Sequence, residues 1–556
     1  MRTWTGGRTV RGAWPPHGRL GGAVAACLLA GLVLFFNLGG YALWDPDEAR
    51  HAEVAREMLR AADWRGWIVP SFDFHPYHDK PILFYWAVSA ADALGGVNER
   101  AARAVPAIAA LLTVLAVYLW GSRVWGPAAG FAAAVVLTTA AEFVALGRYA
   151  NLDMLLTLWI AVGLLGVHRW TEKPDSRGWL ALAAVAAALG ALTKGLVAPV
   201  LIAGIGLAYL AATQRLGLLT FRRVVGVGVV FLAVAAPWYV TAGLVDPSYL
   251  GDFLLRHHVA RFLEGARHFH PKPLYFPLLM LLAGFLPWSV FLPAALRNML
   301  CQDRLEPSEL FCVTWGLGVL LFFTLSRGNL GTYVLPATPP LALLTGRYVS
   351  RLQSCDRDLA PGERRLLVAG VVTLAVLCFA AVPALLAVAS RLYAGVWRST
   401  SLLSVMAVPF GVALLGLLGR RRCDLLPLVI GSGMLMIIAV FYGWAAPRIS
   451  AVVSEAPLAQ MIAVHASDGH PAPIVAYDVR TPSLLFYLHR AAYRTANPAQ
   501  LARVLAGHPL VFVVSSPRHV PEMLATGRLY PWQTLGRHVL YASRPLTDDP
   551  GPSPRG

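Results

Sequence analysis

Three carboxylates crowd into four residues at Asp45, Asp47 and Glu48, within Tyr41-Ala42-Leu43-Trp44-Asp45-Pro46-Asp47-Glu48-Ala49-Arg50-His51-Ala52-Glu53. A carboxylate here could orient or deprotonate a hydroxyl. The plainer reading is an acidic helix start, since Asp45 with Pro46 and Glu48 suits an N-terminus. A second cluster, Arg148-Tyr149-Ala150-Asn151-Leu152-Asp153-Met154, places Asp153 at the head of an apolar run, where Asn151 or Asp153 could equally cap a helix. Lys194-Gly195 sits between two apolar runs, and interface snorkelling is enough to account for it. Asp79-Lys80-Pro81 closes a polar and aromatic patch that begins at Ser71.

Further along, Arg256-His257-His258-Val259-Ala260-Arg261-Phe262 precedes His268-Phe269-His270. Histidines so spaced can ligate a metal together with a distant carboxylate. Adjacent histidines on a helix diverge, so at most one of His257 and His258 would be a ligand. Arg256 and Arg261 suit a phosphate, which a guanidinium grips bidentately. Arg327-Gly328-Asn329-Leu330-Gly331-Thr332-Tyr333 adds another anion-binding candidate. Carboxylates with several cations suit an acceptor that attacks carbon while a phosphate departs, the cations steadying the charge that develops on the leaving group.

The elements that must position these groups are membrane helices. Of 556 residues, 57% are hydrophobic and 14% charged, where a soluble chain would be about one quarter charged. Mean hydropathy is +0.58. The apolar residues gather into runs near the roughly 20 residues that a bilayer crossing needs. The runs predict spans at about 21–39, 103–120, 126–143, 150–168, 178–193, 195–212, 224–240, 274–296, 309–325, 330–346, 366–389, 401–418 and 425–444, about thirteen in all. The predicted fold is an all-α polytopic membrane protein with a small C-terminal soluble α/β domain. The six cysteines are scattered without metal-type spacing. The formal charge of +17 lies between the apolar runs, which reads as topology and excludes a nucleic-acid surface.

Basic residues recur in alternate short loops, at Lys173 and Arg177, at Arg215, Arg222 and Arg223, at Arg297 and Arg304, through 347–365, and at Arg420, Arg421 and Arg422. This bias predicts a cytoplasmic N-terminus, with Met1–Leu20 leading into an uncleaved first helix. The predicted domains are a membrane unit over 1–444, with outer loops at 40–100 and 240–273, and an extracytoplasmic unit over 445–556. Short strands are expected near Ala472–Tyr477 and Leu510–Ser515. Within the first loop, Glu48–Arg65 and Ile82–Leu94 read as amphipathic helices, the second along the membrane surface. All the chemical clusters fall on the outer side, which points to one extracytoplasmic site in a plasma (inner) membrane.

Together the clusters carry a family likeness. Asp45 to Met58 resembles the first-loop signature of the aminoarabinose transferase group, GT-C membrane glycosyltransferases related to the dolichyl-phosphate-mannose-protein mannosyltransferases. Asp79-Lys80-Pro81, Gly147 to Met154, Lys194-Gly195 and Arg256 to Phe262 resemble further blocks in the same order. The likeness covers about residues 20–345 and continues as architecture beyond. It implies a GT-C fold, a polyprenyl-phosphate-linked sugar donor (4-amino-4-deoxyarabinose or another pentose or hexose), a lipid, glycan or protein acceptor, and inversion at the anomeric carbon. It implies Asp47 as the principal catalytic carboxylate and Asp153 as a second acid. Lys80, Arg256 and Arg261 would hold the donor phosphate, with Arg327 beside them. Asp45, Glu48, Arg50, Arg148, Lys194 and Tyr333 would support the site. A divalent metal, zinc or another, would bridge Asp79 and His257 or His258, although Asp79 is one methylene shorter than the Glu of many relatives. The resemblance names a reaction class and leaves the acceptor open.

Two other functions compete. A transporter or flippase of lipid-linked substrates would concentrate polar or broken segments deep in the bilayer. An assembly protein would depend on 445–556 and tolerate loss of Asp47 and Asp153.

Overall fold

The computed structural model describes residues 18–253, 272–302, 304–326, 330–354, 359–392, 397–465, 472–535 and 538–545. The chain opens with α1 (Gly18–Phe35), α2 (Asp47–Leu59), α3 (Leu83–Gly95), α4 (Glu99–Trp125), α5 (Pro127–Thr138), α6 (Ala141–Gly147), α7 (Leu152–Glu172), α8 (Arg177–Lys194), α9 (Val197–Ala212) and α10 (Phe221–Val245). The expected first-loop helices are α2 and α3, joined by the hairpin β1 (Ser71–Phe72) and β2 (His75–Pro76). The expected spans fall on helical segments, 330–346 only in part, and the count of thirteen is not reproduced by length and apolarity. Among the described residues seven helices are long and apolar enough to cross a membrane, or up to nine if each of two bent pairs is one span. Val197–Ala212, for instance, is an apolar helix of only 16 residues, short of the roughly 20 that a bilayer asks for.

The two bent pairs brace each other. α5 and α6 meet at 68°, and Phe276–Gly284 meets Trp288–Leu300 at 105°. Pro287 removes a backbone donor and disfavours helix just before it, which ends the earlier segment. Groups freed at one break pair with the other: the Ala141 N–H donates to the Leu286 carbonyl at 2.9 Å and the Trp288 indole donates to Thr139 Oγ1 at 2.9 Å. Backbone that cannot reach water is thereby satisfied. The expected span at 330–346 is instead a tight 3-10 stretch, Gly331–Ala337, followed by the helix Thr338–Ser354. Pro336 inside the stretch prevents a regular α-helix there.

The C-terminal strands are β3 (Ile474–Tyr477), β4 (Tyr493–Thr495), β5 (Phe512–Ser515), β6 (Tyr530–Leu535) and β7 (His538–Ala542), in the order β4-β3-β5-β7-β6. β3 pairs parallel with β4 and β5, while β7 runs antiparallel to β5 and β6. β3 and β5 are wholly buried, in keeping with helices on both faces of parallel strands.

Candidate active site

Glu48 and Arg103 form the hub that places the first loop. Both are fully buried, and the guanidinium meets both carboxylate oxygens at 2.7 and 2.8 Å. Arg103 also donates to the carbonyls of Leu38, Tyr41 and Ala42 and stacks 3.7 Å over the Tyr41 ring. Glu48 accepts from the Trp44 N–H at 2.9 Å and the Ala150 N–H at 3.0 Å. A charge pair this deep holds only when its remaining lone pairs and protons are satisfied, as these are. Glu48 is therefore structural, but as the seat of α2 on α4 and not as a simple cap. Asp45 is no cap either: its carboxylate accepts from the N–H and the hydroxyl of Ser483 in the C-terminal region. Arg148, at the end of α6, is buried and donates to the carbonyls of Val33 and Phe36, so it anchors α1.

With α2 seated, Asp47 stands at its N-terminus, half-exposed and ion-paired with Arg50. Burial works against the Arg50 guanidinium, but Tyr77, Asp47, Tyr85 and Asp79 around it hold its pKa above the usual arginine value. Among the described residues, the buried Arg50 Nε has no hydrogen-bond partner. His51, one residue on, bonds the Tyr85 hydroxyl at 2.9 Å. Burial and the charges of Arg50, Lys80 and Lys194 push its pKa well below the usual imidazole value, against the pull of Asp79. Arg50, Asp79, Lys80 and Lys194 thus all act electrostatically on His51.

The hairpin sets that turn. Asp73 and Phe74 both adopt positive φ (57° and 62°), as a two-residue hairpin turn requires. Neither is glycine, and the Glu57 carboxylate accepts both their N–H groups, at 2.7 and 3.1 Å. Beyond it, His78 bonds Asp246 at 2.8 Å and Asp252 at 3.1 Å, and Tyr249 donates to the Lys80 carbonyl at 2.9 Å, tying the first loop to the end of α10. Lys80 Nζ lies 3.2 Å from the Asp79 carboxylate, which also accepts from Tyr77 at 3.2 Å.

Asn151 caps α7, accepting from the Asp153 N–H at 3.0 Å and leaving the Asp153 carboxylate for other partners. That carboxylate pairs with Lys194 at the end of α8 and accepts from Thr332 at 2.9 Å. Lys194 lies 4.1 Å from the centre of the Tyr333 ring. The 3-10 stretch thus delivers Thr332 and Tyr333 to this pair, and Lys194 does more than snorkel.

Arg256, Arg261, Arg327, His257 and His258 lie outside the described residues. Of the expected metal ligands only Asp79 is described, and it is engaged by Lys80 and Tyr77. Among the described residues no group of three or more His, Cys, Asp or Glu could hold a metal ion. Sequence reading passed over Tyr77, Tyr85, His51, Thr332 and Glu142. Glu142 on α6 lies within electrostatic reach of Asp153, and its Oε2 is buried without a partner among the described residues. A carboxylate inside an apolar run was the signal.

The fold is that of the GT-C membrane glycosyltransferases. A family model for dolichyl-phosphate-mannose-protein mannosyltransferase matches residues 79–240. An undecaprenyl phosphate-alpha-4-amino-4-deoxy-L-arabinose arabinosyl transferase of Pseudomonas paraeruginosa is 34% identical over 361 residues, 63% of this chain and 63% of its own length. One from Pseudomonas fluorescens is 35% identical over 344 residues, 61% of this chain and 60% of its own. The matched part thus spans somewhat under two thirds of these relatives. Among solved structures, ArnT from Cupriavidus metallidurans bound to undecaprenyl phosphate superposes with a TM-score of 0.79 at 22% identity, covering 95% of this chain and 99% of that one. The Archaeoglobus fulgidus oligosaccharyltransferase shares the fold more distantly, with a TM-score of 0.51 at 14% identity over 90% of this chain and 69% of that one. The likeness to the aminoarabinose transferase and mannosyltransferase-like group therefore holds in sequence and in fold, and the chain is a multi-pass membrane protein.

Proposed function

We propose that this chain is an inverting glycosyltransferase that moves a sugar from a polyprenyl-phosphate donor to a lipid, glycan or protein acceptor on the extracytoplasmic face. One observation carries the reading: a half-exposed Asp47 at the head of α2 is ion-paired with Arg50, which Asp79, the residue before Lys80, also influences electrostatically. An acceptor oxygen would attack the anomeric carbon from the Asp47 side and give its proton to that carboxylate. The bond from the anomeric carbon to the phosphate oxygen would break with its electron pair going to the phosphate. Lys80 and Arg50 would steady the charge on the departing polyprenyl phosphate, with Arg256, Arg261 and Arg327 as further candidates. Asp153, held by Lys194 and Thr332, would orient the sugar or the acceptor. 4-Amino-4-deoxyarabinose, the sugar named in the relatives, is the first donor to try.

The C-terminal region supports the orientation. Asp45, in the loop after α1, touches Ser483 directly, so the C-terminal region meets the first loop beside Asp47. With the N-terminus cytoplasmic, the basic loops then lie on the opposite side. The transporter reading draws no support from the relatives, which are transferases. A divalent metal would need His257 or His258 to join Asp79, and Asp79 is held by Lys80 and Tyr77.

The test is transfer by the purified full-length protein, using a panel of radiolabelled polyprenyl-phosphate sugars with envelope lipids and proteins as acceptors. Labelled product from the parent and none from Asp47→Asn is expected. Product at the parent rate from a folded Asp47→Asn would remove Asp47 from the mechanism. Donor flux without any covalent product would favour a transporter.

A further inference from the structure

At the end of α7 remote from Asp153, two cavities adjoin. One, of about 430 Å³, lies between α7, α8, α9 and α10, and its walls are apolar but for Arg223, with Trp170, Ala187, Ile202, Gly206 and Phe231 among them. The other, of about 490 Å³, is an open cup of mixed lining bounded by Thr171, Glu172, Pro174, Gln214, Arg215 and Leu218. Leu218 of the cup and Leu219 of the slot are consecutive residues, so the two spaces share a rim. α9 and α10 each pack on α8 and barely touch each other, which is what leaves the slot between them. The window of α10 that would span the membrane is only 11% buried.

Two guanidinium groups mark the shared rim. Arg223 donates to the carbonyls of Leu218 (2.9 Å) and Pro174 (3.1 Å) and lies 5.7 Å from the centre of the Trp170 ring. Arg215 donates to the Thr171 carbonyl at 2.9 Å. Glu172, the acid of the cup, is paired with Arg169 and Arg123. Among the described residues neither Arg215 nor Arg223 forms an ion pair with a carboxylate. Carbonyls fix the direction of a guanidinium but leave its charge uncompensated, and the fork retains donors for a phosphate.

We propose that slot and cup form one binding site for an anionic phospholipid, with an acyl chain between α8, α9 and α10 and the phosphate diester against Arg215 and Arg223. A peptide in the slot would bury backbone groups without partners. A small anion would leave the apolar walls uncovered, and a zwitterionic lipid carries no net charge to offset the cations. The site stands at the opposite end of α7 and α8 from Asp153 and Lys194, so the inference does not rest on the transfer reaction.

The experiment titrates delipidated full-length protein with phosphatidylglycerol or phosphatidylethanolamine and counts retained lipid by native mass spectrometry. Phosphatidylglycerol should be retained in preference, and Arg215→Gln and Arg223→Gln should each weaken it about tenfold. Gly228 lines the slot, and a Cβ added there meets nothing within 4 Å. Gly228→Leu should therefore reduce retention by filling the slot with both guanidinium groups intact, and it decides the matter if an arginine variant fails to fold. Equal retention of the two lipids by the parent and every variant would reduce the site to ordinary bilayer contact and overturn the proposal. Displacement of the lipid by inorganic phosphate with Gly228→Leu silent would show an anion cup without an acyl-chain site, which overturns it too.

Discussion

Asp45 and Ser483, 438 residues apart, meet through two hydrogen bonds in which the Ser483 N–H (2.9 Å) and hydroxyl both donate to one carboxylate. Two residues upstream, the Leu43 N–H donates to the Tyr487 hydroxyl at 2.9 Å, and that hydroxyl donates to Glu99 at 2.7 Å. The helix Pro482–Leu488 thus grips the segment that ends at Asp47. Ser483→Ala is expected to lower kcat several-fold with little change in donor KM, because one donor of the grip is lost, a cost of about 1 kcal/mol. Ser483→Thr, which keeps the hydroxyl, should restore it. An unchanged kcat in the alanine variant would detach the C-terminal region from the site.

The same contact should make stability depend on pH. Burial pushes Asp45 up to about 7, opposed by the Ser483 bonds and by His538 and reinforced by Glu455. An unfolded aspartate titrates near about 4, so the folded chain holds the extra proton in between. The stabilisation is fully present below about 4 and is lost as pH rises through about 7. The unfolding midpoint should fall from pH 5 to pH 8, and Asp45→Asn should flatten that slope. A slope that Asp45→Asn leaves intact would assign it to other groups.

Glu48→Gln is expected to destabilise the protein by about 3–5 kcal/mol, since it leaves the wholly buried Arg103 without its counter-charge. Thermal unfolding of the purified variant measures this. A loss below about 1 kcal/mol would mean that the carbonyls of Leu38, Tyr41 and Ala42 alone satisfy the guanidinium.

How much of this could be read from the sequence depends on what each residue's partner is. Asp47, Lys80, Asp153 and Lys194 stood out in the sequence because they fall in blocks that resemble a family's in the same order, and their roles are proposals. The helical segments were legible because apolar runs announce themselves. The role of Asp45 was not, since its partner lies in a region with little sequence signature, and an aspartate before Pro46 looks locally like a cap. Glu48 was placed among the supporting groups, but Arg103 lay hidden inside a predicted span. The bent pairs were missed because hydropathy sums over a break, and the breaks at Thr139 and Pro287 show their purpose only once they pair in space.

Asp153 and Lys194 should behave as a unit. Asp153→Asn and Lys194→Met each strand a largely buried charge, so each should lower both stability and transfer. The double variant should lose less than the sum, with a coupling of about 1–3 kcal/mol. Additive losses in the unfolding cycle would show that Thr332 and Tyr333 hold the two independently.

Lys80 and Asp47 should separate by kinetic signature. If Lys80 grips the donor phosphate in both the ground and transition states, Lys80→Met should raise donor KM and change kcat less. If Asp47 takes the acceptor proton, Asp47→Asn should lower kcat by about 10²–10⁴ while donor binding survives. Both variants should keep the parent unfolding midpoint within a few degrees, because Asp47 is half-exposed and Lys80 pairs with the neighbouring Asp79. Prolonged chelation should leave the parent rate intact if Lys80 and Arg50 alone carry the phosphate charge, whereas loss restored by zinc would place a metal beside Asp79. The reverse kinetic pattern, with KM rising in Asp47→Asn and kcat collapsing in Lys80→Met, would exchange the two roles and make the lysine the group that acts on the bond being broken.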